Sequence, residues 1–280
     1  MSLAPDAPRA LTLLAAPTAG TGLRDALHAE WTKLRTAPGT FWLVFAAVAL
    51  TVAVSAAAAA ATRCPATGCG QDPAKVSLTG IYLGQVVVAI VAVLAISGEY
   101  SSGMILTTLA AMPHRITVLA AKAALLTGLM LATGTLAMLG SLLAGRFILP
   151  GHGFTVAHGF APLSLADGPV LRAAAGSVLY LALIALLSLG AATAVRESAA
   201  AIGIVLGLLY LFPIVTAAVS DPHLQRHLQQ IAPMTAGLEI EATTGLRSLP
   251  ISPWAGLGVL AAWAAAALLA GGLLLRLRDA

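Results

Sequence analysis

Charge is what this sequence most conspicuously lacks. Asp, Glu, Lys and Arg make up 9% of its 280 residues, and the apolar set reaches 59%; soluble domains carry about a quarter charged residues. So little charge cannot cover a water-soluble globule of this length, and a bilayer has to replace most of the solvent. Runs of basic residues are also missing. The 15 Lys and Arg are scattered singly, so the net charge of +4 is no phosphate-binding patch and nucleic acid is excluded as a partner. The three lysines follow Thr32, Ala74 and Ala121. With no Gly-Lys pair there is no Walker A loop, hence no ATP site in this chain. No Gly-x-Ser-x-Gly elbow occurs, which leaves a serine hydrolase unsupported.

Cysteine is nearly absent. Cys64 and Cys69 bracket Pro65-Ala66-Thr67-Gly68, a segment able to fold back. A small disulfide loop is expected if it faces outward, and two free thiols if it does not. His223 and His227 stand four apart, but no metal site is expected there or at the cysteines. His152 and His158 read as solvated residues of a Gly-rich loop.

What the sequence has in quantity is long apolar runs. A hydrocarbon core about 30 Å thick needs roughly 20 apolar residues in a helix. Six stretches qualify: Phe41–Ala61, Leu78–Ser97, Val118–Leu143, Ala173–Val195, Ala199–Val219 and Trp254–Leu275. Unsatisfied backbone groups are too costly in lipid for anything but helices here, so an all-α protein is expected. None of the six contains an acidic residue. The single basic one, Lys122, lies near an end and is expected to snorkel to the interface.

Six spans place both termini on one side. That side holds nine basic residues (Arg9, Arg24, Lys33, Arg35, Arg115, Lys122, Arg196, Arg276 and Arg278), against six on the other, so both termini are expected in the cytoplasm of a cell-membrane protein. Pro17 cuts the first apolar stretch short, so residues 1–20 read as a disordered cytoplasmic tail rather than a signal peptide; residues 21–280 form one membrane domain. Segments 62–77, 145–172 and 220–253 fall outside, and 98–117 inside. Spans four and five, separated by Arg196-Glu197-Ser198, form a close antiparallel hairpin. The pairs Gly80/Gly84 and Gly203/Gly207 have the spacing for close helix approach, expected within the chain rather than between copies. Pro213 is expected to bend the fifth span.

Two segments flank the spans in an informative way. Over Thr21–Arg35, Leu23, Leu27, Trp31 and Leu34 share one helical face, predicting a helix lying in the membrane surface. Trp31 sits in its boundary, with Lys33 and Arg35 toward anionic headgroups. Between spans two and three, a short helix from Ser101 to Met112, stopped by Pro113, exposes Met104, Ile105, Leu109 and Met112 to the cytosol, a surface that fits a partner. The alternative is that this segment folds back onto the interface.

These segments carry a resemblance. Glu30-Trp31-Thr32-Lys33-Leu34-Arg35-Thr36 looks like the leading helix of actinobacterial type-2 ABC exporter permeases. Glu99-Tyr100-x-x-Gly103, Thr107-Thr108-Leu109, Pro113-His114-Arg115 and Ala121-Lys122 resemble the stretch that follows the second span in that family. Six spans and Ala232-Pro233-Met234-Thr235-Ala236-Gly237 before the sixth also match. Met104, Leu106 and His114 depart from the polar or basic residues expected at their positions. The resemblance implies an exporter's transmembrane subunit for an amphipathic drug, antibiotic or lipid-like cargo. It further implies a separate ATPase subunit that binds ATP and Mg, a second permease copy or paralogue, and no cofactor or catalytic residue in this chain. It makes the segment between spans two and three a coupling helix, with Glu99, Tyr100, Gly103, Pro113 and Arg115 in contact with the ATPase, Glu99 and Arg115 by pairing with its charges. The competing readings are an ion-coupled secondary transporter, which the lack of acids within the spans disfavours, and a non-transporting anchor or immunity protein that recruits a cytosolic partner.

Overall fold

A computed structural model describes residues 27, 28, 30–33, 38–65, 70–101, 103 and 115–277. Among the described residues the α-helices with defined bounds are α1 Pro38–Ala61, α2 Pro73–Leu78, α3 Ile81–Ser101, α4 Arg115–Ile148, α5 Gly168–Val195, α6 Ser198–Ala218, α7 Pro222–Ile231, α8 Pro233–Leu238 and α9 Pro253–Leu277. Six helical stretches are long and apolar enough to cross a membrane: Gly39–Ala61, Pro73–Tyr100, Ile116–His152, Gly168–Val195, Ser198–Ala218 and Pro253–Leu277. No strand occurs among the described residues. The chain is an all-α multi-pass membrane protein, and each apolar run read from the sequence is a spanning helix.

The bundle is built around α5, which packs against α9, α4, α3 and α6. Its apolar window is 61% buried, against 22% for α1 and α6, so those two helices form the periphery. Where α5 crosses α9 the contact is backbone to backbone. A side chain at Gly190 would collide with Ala267 and Leu268, and one at Gly271 with the Gly190 carbonyl.

The two glycine pairs behave differently. Gly80 and Gly84 lie directly on Thr51 and Ser55 of α1, and the Gly80 N–H donates to Ser55 Oγ at 3.0 Å. The expectation of packing within the chain holds for this pair. Among the described residues, Gly203 and Gly207 of α6 meet nothing that a side chain would touch. There the expectation fails, because α6 turns that face away from the bundle.

The α5–α6 connection is the tight hairpin expected. Arg196 takes a left-handed conformation (φ 65°) as its N–H donates to the Ala192 carbonyl, and the Glu197 carboxylate caps α6 by accepting from the Ala199 and Ala200 N–H groups. Pro213 is accommodated within α6, which runs unbroken from Ser198 to Ala218.

At the opposite end of the bundle the connections are structured rather than loose. α4 continues past the expected Leu143 to Ile148, taking Arg146 with it, and a 3-10 turn follows over Leu149–His152. His152 accepts the Cys64 N–H on its carbonyl at 2.9 Å, and His158 Nδ1 lies 2.8 Å from the Gly153 carbonyl. His152 is thus half-buried in an ordered turn whose Leu149 and Phe154 pack with Ala59 and Cys64, whereas His158 is exposed, as expected of a solvated residue. Cys64 is disulfide-bonded; the other cysteine of the chain, Cys69, lies outside the described residues.

The largest departure from expectation lies in 220–253, read as an outer segment. α7 is an amphipathic surface helix, but α8 and the 3-10 turn Glu239–Glu241 turn back into the bundle. Met234, Ala236, Leu238 and Ile240 are buried. Gly237 lies on the Tyr180 aromatic ring, and Ile240 fills the space that a side chain at Gly176 would occupy. Fewer than ten apolar residues in a row fall below the length of a span, so this insertion leaves little mark on hydropathy.

Candidate functional site

At the end of the bundle where α3 stops and α4 starts, four charged side chains close on one another. Glu30 and Lys33 come from the amphipathic leading segment, where Leu27, His28 and Glu30–Lys33 are helical. Glu99 comes from the last turn of α3 and Lys122 from the second turn of α4. Lys33 Nζ donates to Glu30 Oε1 at 2.8 Å and to Glu99 Oε1 at 2.7 Å. Lys122 Nζ donates to Glu30 Oε2 at 2.5 Å, to Glu99 Oε1 at 2.8 Å and to the Ala95 carbonyl at 3.2 Å. Each amine bridges both carboxylates. The quartet is electrically neutral, and Glu30, Glu99 and Lys122 are all about 5% exposed or less.

Burial at the membrane boundary is what gives this arrangement its weight. An isolated charge there costs several kcal/mol, so the four groups hold position only as a set. Three segments distant in sequence are thereby tied together around the root of the 102–114 segment. Lys33 shows the balance of forces: burial pulls its ammonium toward deprotonation, but the hydrogen bonds and charges of Glu30 and Glu99 outweigh that and raise it above the usual lysine value.

Lys122 therefore does not snorkel. The nearest acids offer it two charge-assisted bonds, more than the interface does. Glu99, assigned by resemblance to an ATPase contact, points inward to both lysines.

The neighbouring residues pin the same root on its other side. The Arg196 guanidinium lies 5.4 Å from the centroid of the Tyr100 ring, and Ser198 Oγ donates to Ser97 Oγ at 2.8 Å. The α5–α6 hairpin is thus fastened to the end of α3. Gly103 is exposed and left-handed (φ 71°), and its N–H reaches the Tyr100 carbonyl at 3.3 Å. Among the described residues a side chain there would meet nothing, and the left-handed backbone is that of the turn that ends α3. Trp31 is 52% exposed, as a residue at a lipid boundary would be. Pro113 and Arg35 lie outside the described residues, as does the expected helix from Ser101 to Met112 apart from Ser101 and Gly103; Arg115 opens α4.

No protein-family model matches the chain, and no curated protein matches it significantly.

Among the described residues no three His, Cys, Asp or Glu side chains converge as a metal site. Sequence reasoning missed the quartet because it weighed Glu30, Lys33, Glu99 and Lys122 separately. The signal available was their parity: two acids and two lysines, each beside a span end, on one predicted side of the membrane.

Proposed function

We propose that this chain is the permease subunit of an ATP-driven exporter in a cell membrane, with both termini in the cytoplasm and a separate ATPase subunit binding ATP and Mg. The observation that carries this reading is the quartet. A mechanical input to the 102–114 segment has to reach the helices, and Glu99 and Lys122 join its two flanks to each other and to the leading helix through one bonded unit. A push on that segment then moves α3, α4 and the leading helix together instead of bending a loop. The lack of a Gly-Lys pair in this sequence fits a motor carried on another polypeptide. Tyr100, Gly103, Pro113 and Arg115 are the contact residues this reading assigns, with Glu99 acting from behind them as a positioning residue.

The open Gly203/Gly207 face of α6, together with the little-buried α1, is where a second permease copy or paralogue packs in this proposal. An apolar groove of about 380 Å³ between α4 and α5, lined by Met138, Leu171, Val178 and Leu179 among others, suits the hydrocarbon part of an amphipathic cargo.

The test is purification from native membranes. A cytosolic ATPase with a Walker A loop co-elutes with the wild-type chain, and Gly103→Trp, which puts bulk on the exposed turn, releases it. Recovery of the chain without any ATPase, with cargo movement driven by an ion gradient, overturns the reading in favour of secondary transport. An ATPase complex that moves nothing across vesicles overturns it in favour of an anchor.

A further inference from the structure

The re-entrant turn Glu239–Glu241 carries a carboxyl group into the interior, away from the quartet. Glu241 is fully buried, and neither of its oxygens has a hydrogen-bond partner among the described residues. Most polar groups nearby are engaged elsewhere, although Arg172 Nε is buried without a hydrogen-bond partner among the described residues. Tyr180 donates its hydroxyl proton to Gln85 Oε1, Gln85 Nε2 donates to the Tyr210 hydroxyl at 3.0 Å, and Tyr210 donates to the Tyr82 carbonyl. Asp72 accepts the Thr243 and Thr244 N–H groups and the Thr243 hydroxyl, which closes the turn down onto α2. Arg172 donates to the Ala242 carbonyl, and Lys75 Nζ lies 3.7 Å from Glu239 Oε2.

A carboxylate sealed in this way would be an uncompensated buried charge, which costs far more than neutralisation by one proton. The elements packed against the turn supply few ionisable groups. α2 and its cap offer Lys75 and Asp72, α3 offers Tyr82, α5 offers Arg172 and Tyr180, α6 offers Tyr210, and the turn itself offers Glu239. The facing half of α9, residues 253–265, and all of α8 hold no ionisable group. Burial is the leading influence on Glu241 and raises it well above the ordinary carboxyl range; Lys75 opposes this, and Glu239 and Asp72 add to it.

We propose that Glu241 is a proton-binding site: its carboxyl is neutral while α8 and the turn are seated against α5 and α9, and it releases the proton when that insertion lifts. On release the O–H bond breaks, the electron pair stays on the carboxylate, and the proton passes to water at that end of the bundle. The seated conformation then binds one proton more than the lifted one, so a tenfold fall in proton concentration favours lifting by up to about tenfold. The ligand is a proton rather than a larger cation because the turn is closed by packed Ile240, Gly237 and Tyr180.

Infrared spectroscopy of the purified full-length chain in lipid nanodiscs, with carbon-13-labelled glutamate, tests this directly. At neutral pH the wild type shows the carbonyl stretch of a protonated glutamic acid in an apolar setting, and Glu241→Gln removes it. In thermal unfolding, the wild-type unfolding equilibrium constant rises by up to about tenfold per pH unit above the unfolded-chain value of 4.5 relative to Glu241→Gln. Absence of the band in the wild type at neutral pH overturns the proposal whether or not the variant folds, as does a band that survives in Glu241→Gln. Neither readout needs an ATPase or a cargo, so the result is independent of the exporter reading.

Discussion

At the scale of single residues the quartet makes the sharpest demands. Lys122→Met leaves Glu30 and Glu99 sharing Lys33 alone, and removing one partner from a buried ionic set costs about 3–5 kcal/mol. Thermal unfolding in detergent should show the loss, and the double exchange Glu99→Lys with Lys122→Glu should recover part of it; strict additivity of the two single changes would mean the contacts do not couple. Lys33 sets the pH response. A raised lysine contributes stability that is complete below the unfolded value of 10.5 and is lost as pH climbs through its higher folded value. On the alkaline side the leading helix should therefore stay docked through neutral pH and detach in strong alkali, as Trp31 fluorescence can follow. Gly103→Ala forces a side chain into a left-handed turn and should cost about 1 kcal/mol, read by thermal unfolding. Sequence inspection found Lys33, Glu99 and Gly103 but not their relations. Charge pairing across 66 and 92 residues leaves no trace in local periodicity.

At the scale of elements the sequence was most readable where the bilayer dictates the answer. Six apolar runs of sufficient length gave six spanning helices because lipid leaves the backbone no alternative. The α5–α6 hairpin followed from its three-residue connection. The α8 insertion was hidden, since Pro233–Leu238 is too short to register as a span and its apolar residues resemble those of any buried loop. The glycine pairs show the limit of motif reading: identical spacing gave a packed face at Gly80/Gly84 and an open one at Gly203/Gly207. The difference is testable. Gly84→Val drives a side chain into Thr51 and should prevent α1 and α3 from docking, seen as loss of folded monomer. Gly203→Val should leave monomer stability within about 0.5 kcal/mol while weakening self-association, read by cross-linking in native membranes; equal effects of the two would deny them distinct roles.

On the scale of the whole molecule, the two ends of the bundle are built on different principles. One is held by a neutral quartet and a cation–aromatic contact, the other by capped turns, the bonded Cys64 and a sealed Glu241. Closing a loop of six residues by a disulfide contributes roughly 2 kcal/mol, so Cys64→Ser should lower the unfolding midpoint modestly. Labelling of the reduced thiols by a membrane-impermeant maleimide in intact cells reports which end faces outward, and labelling from the cytosolic side alone would reverse the proposed orientation.

α4 connects these two ends. With 34 residues it is about 51 Å long, well beyond a hydrocarbon core of roughly 30 Å. Lys122 anchors it near one extremity, and Arg146, donating to the Leu163 carbonyl at 3.1 Å, near the other. A rod of that length magnifies small rotations: swinging by 10° about one extremity carries the other some 9 Å sideways, roughly the spacing between packed helices. A modest nudge on the Lys122 side is thus geometrically sufficient to part neighbouring helices on the far face.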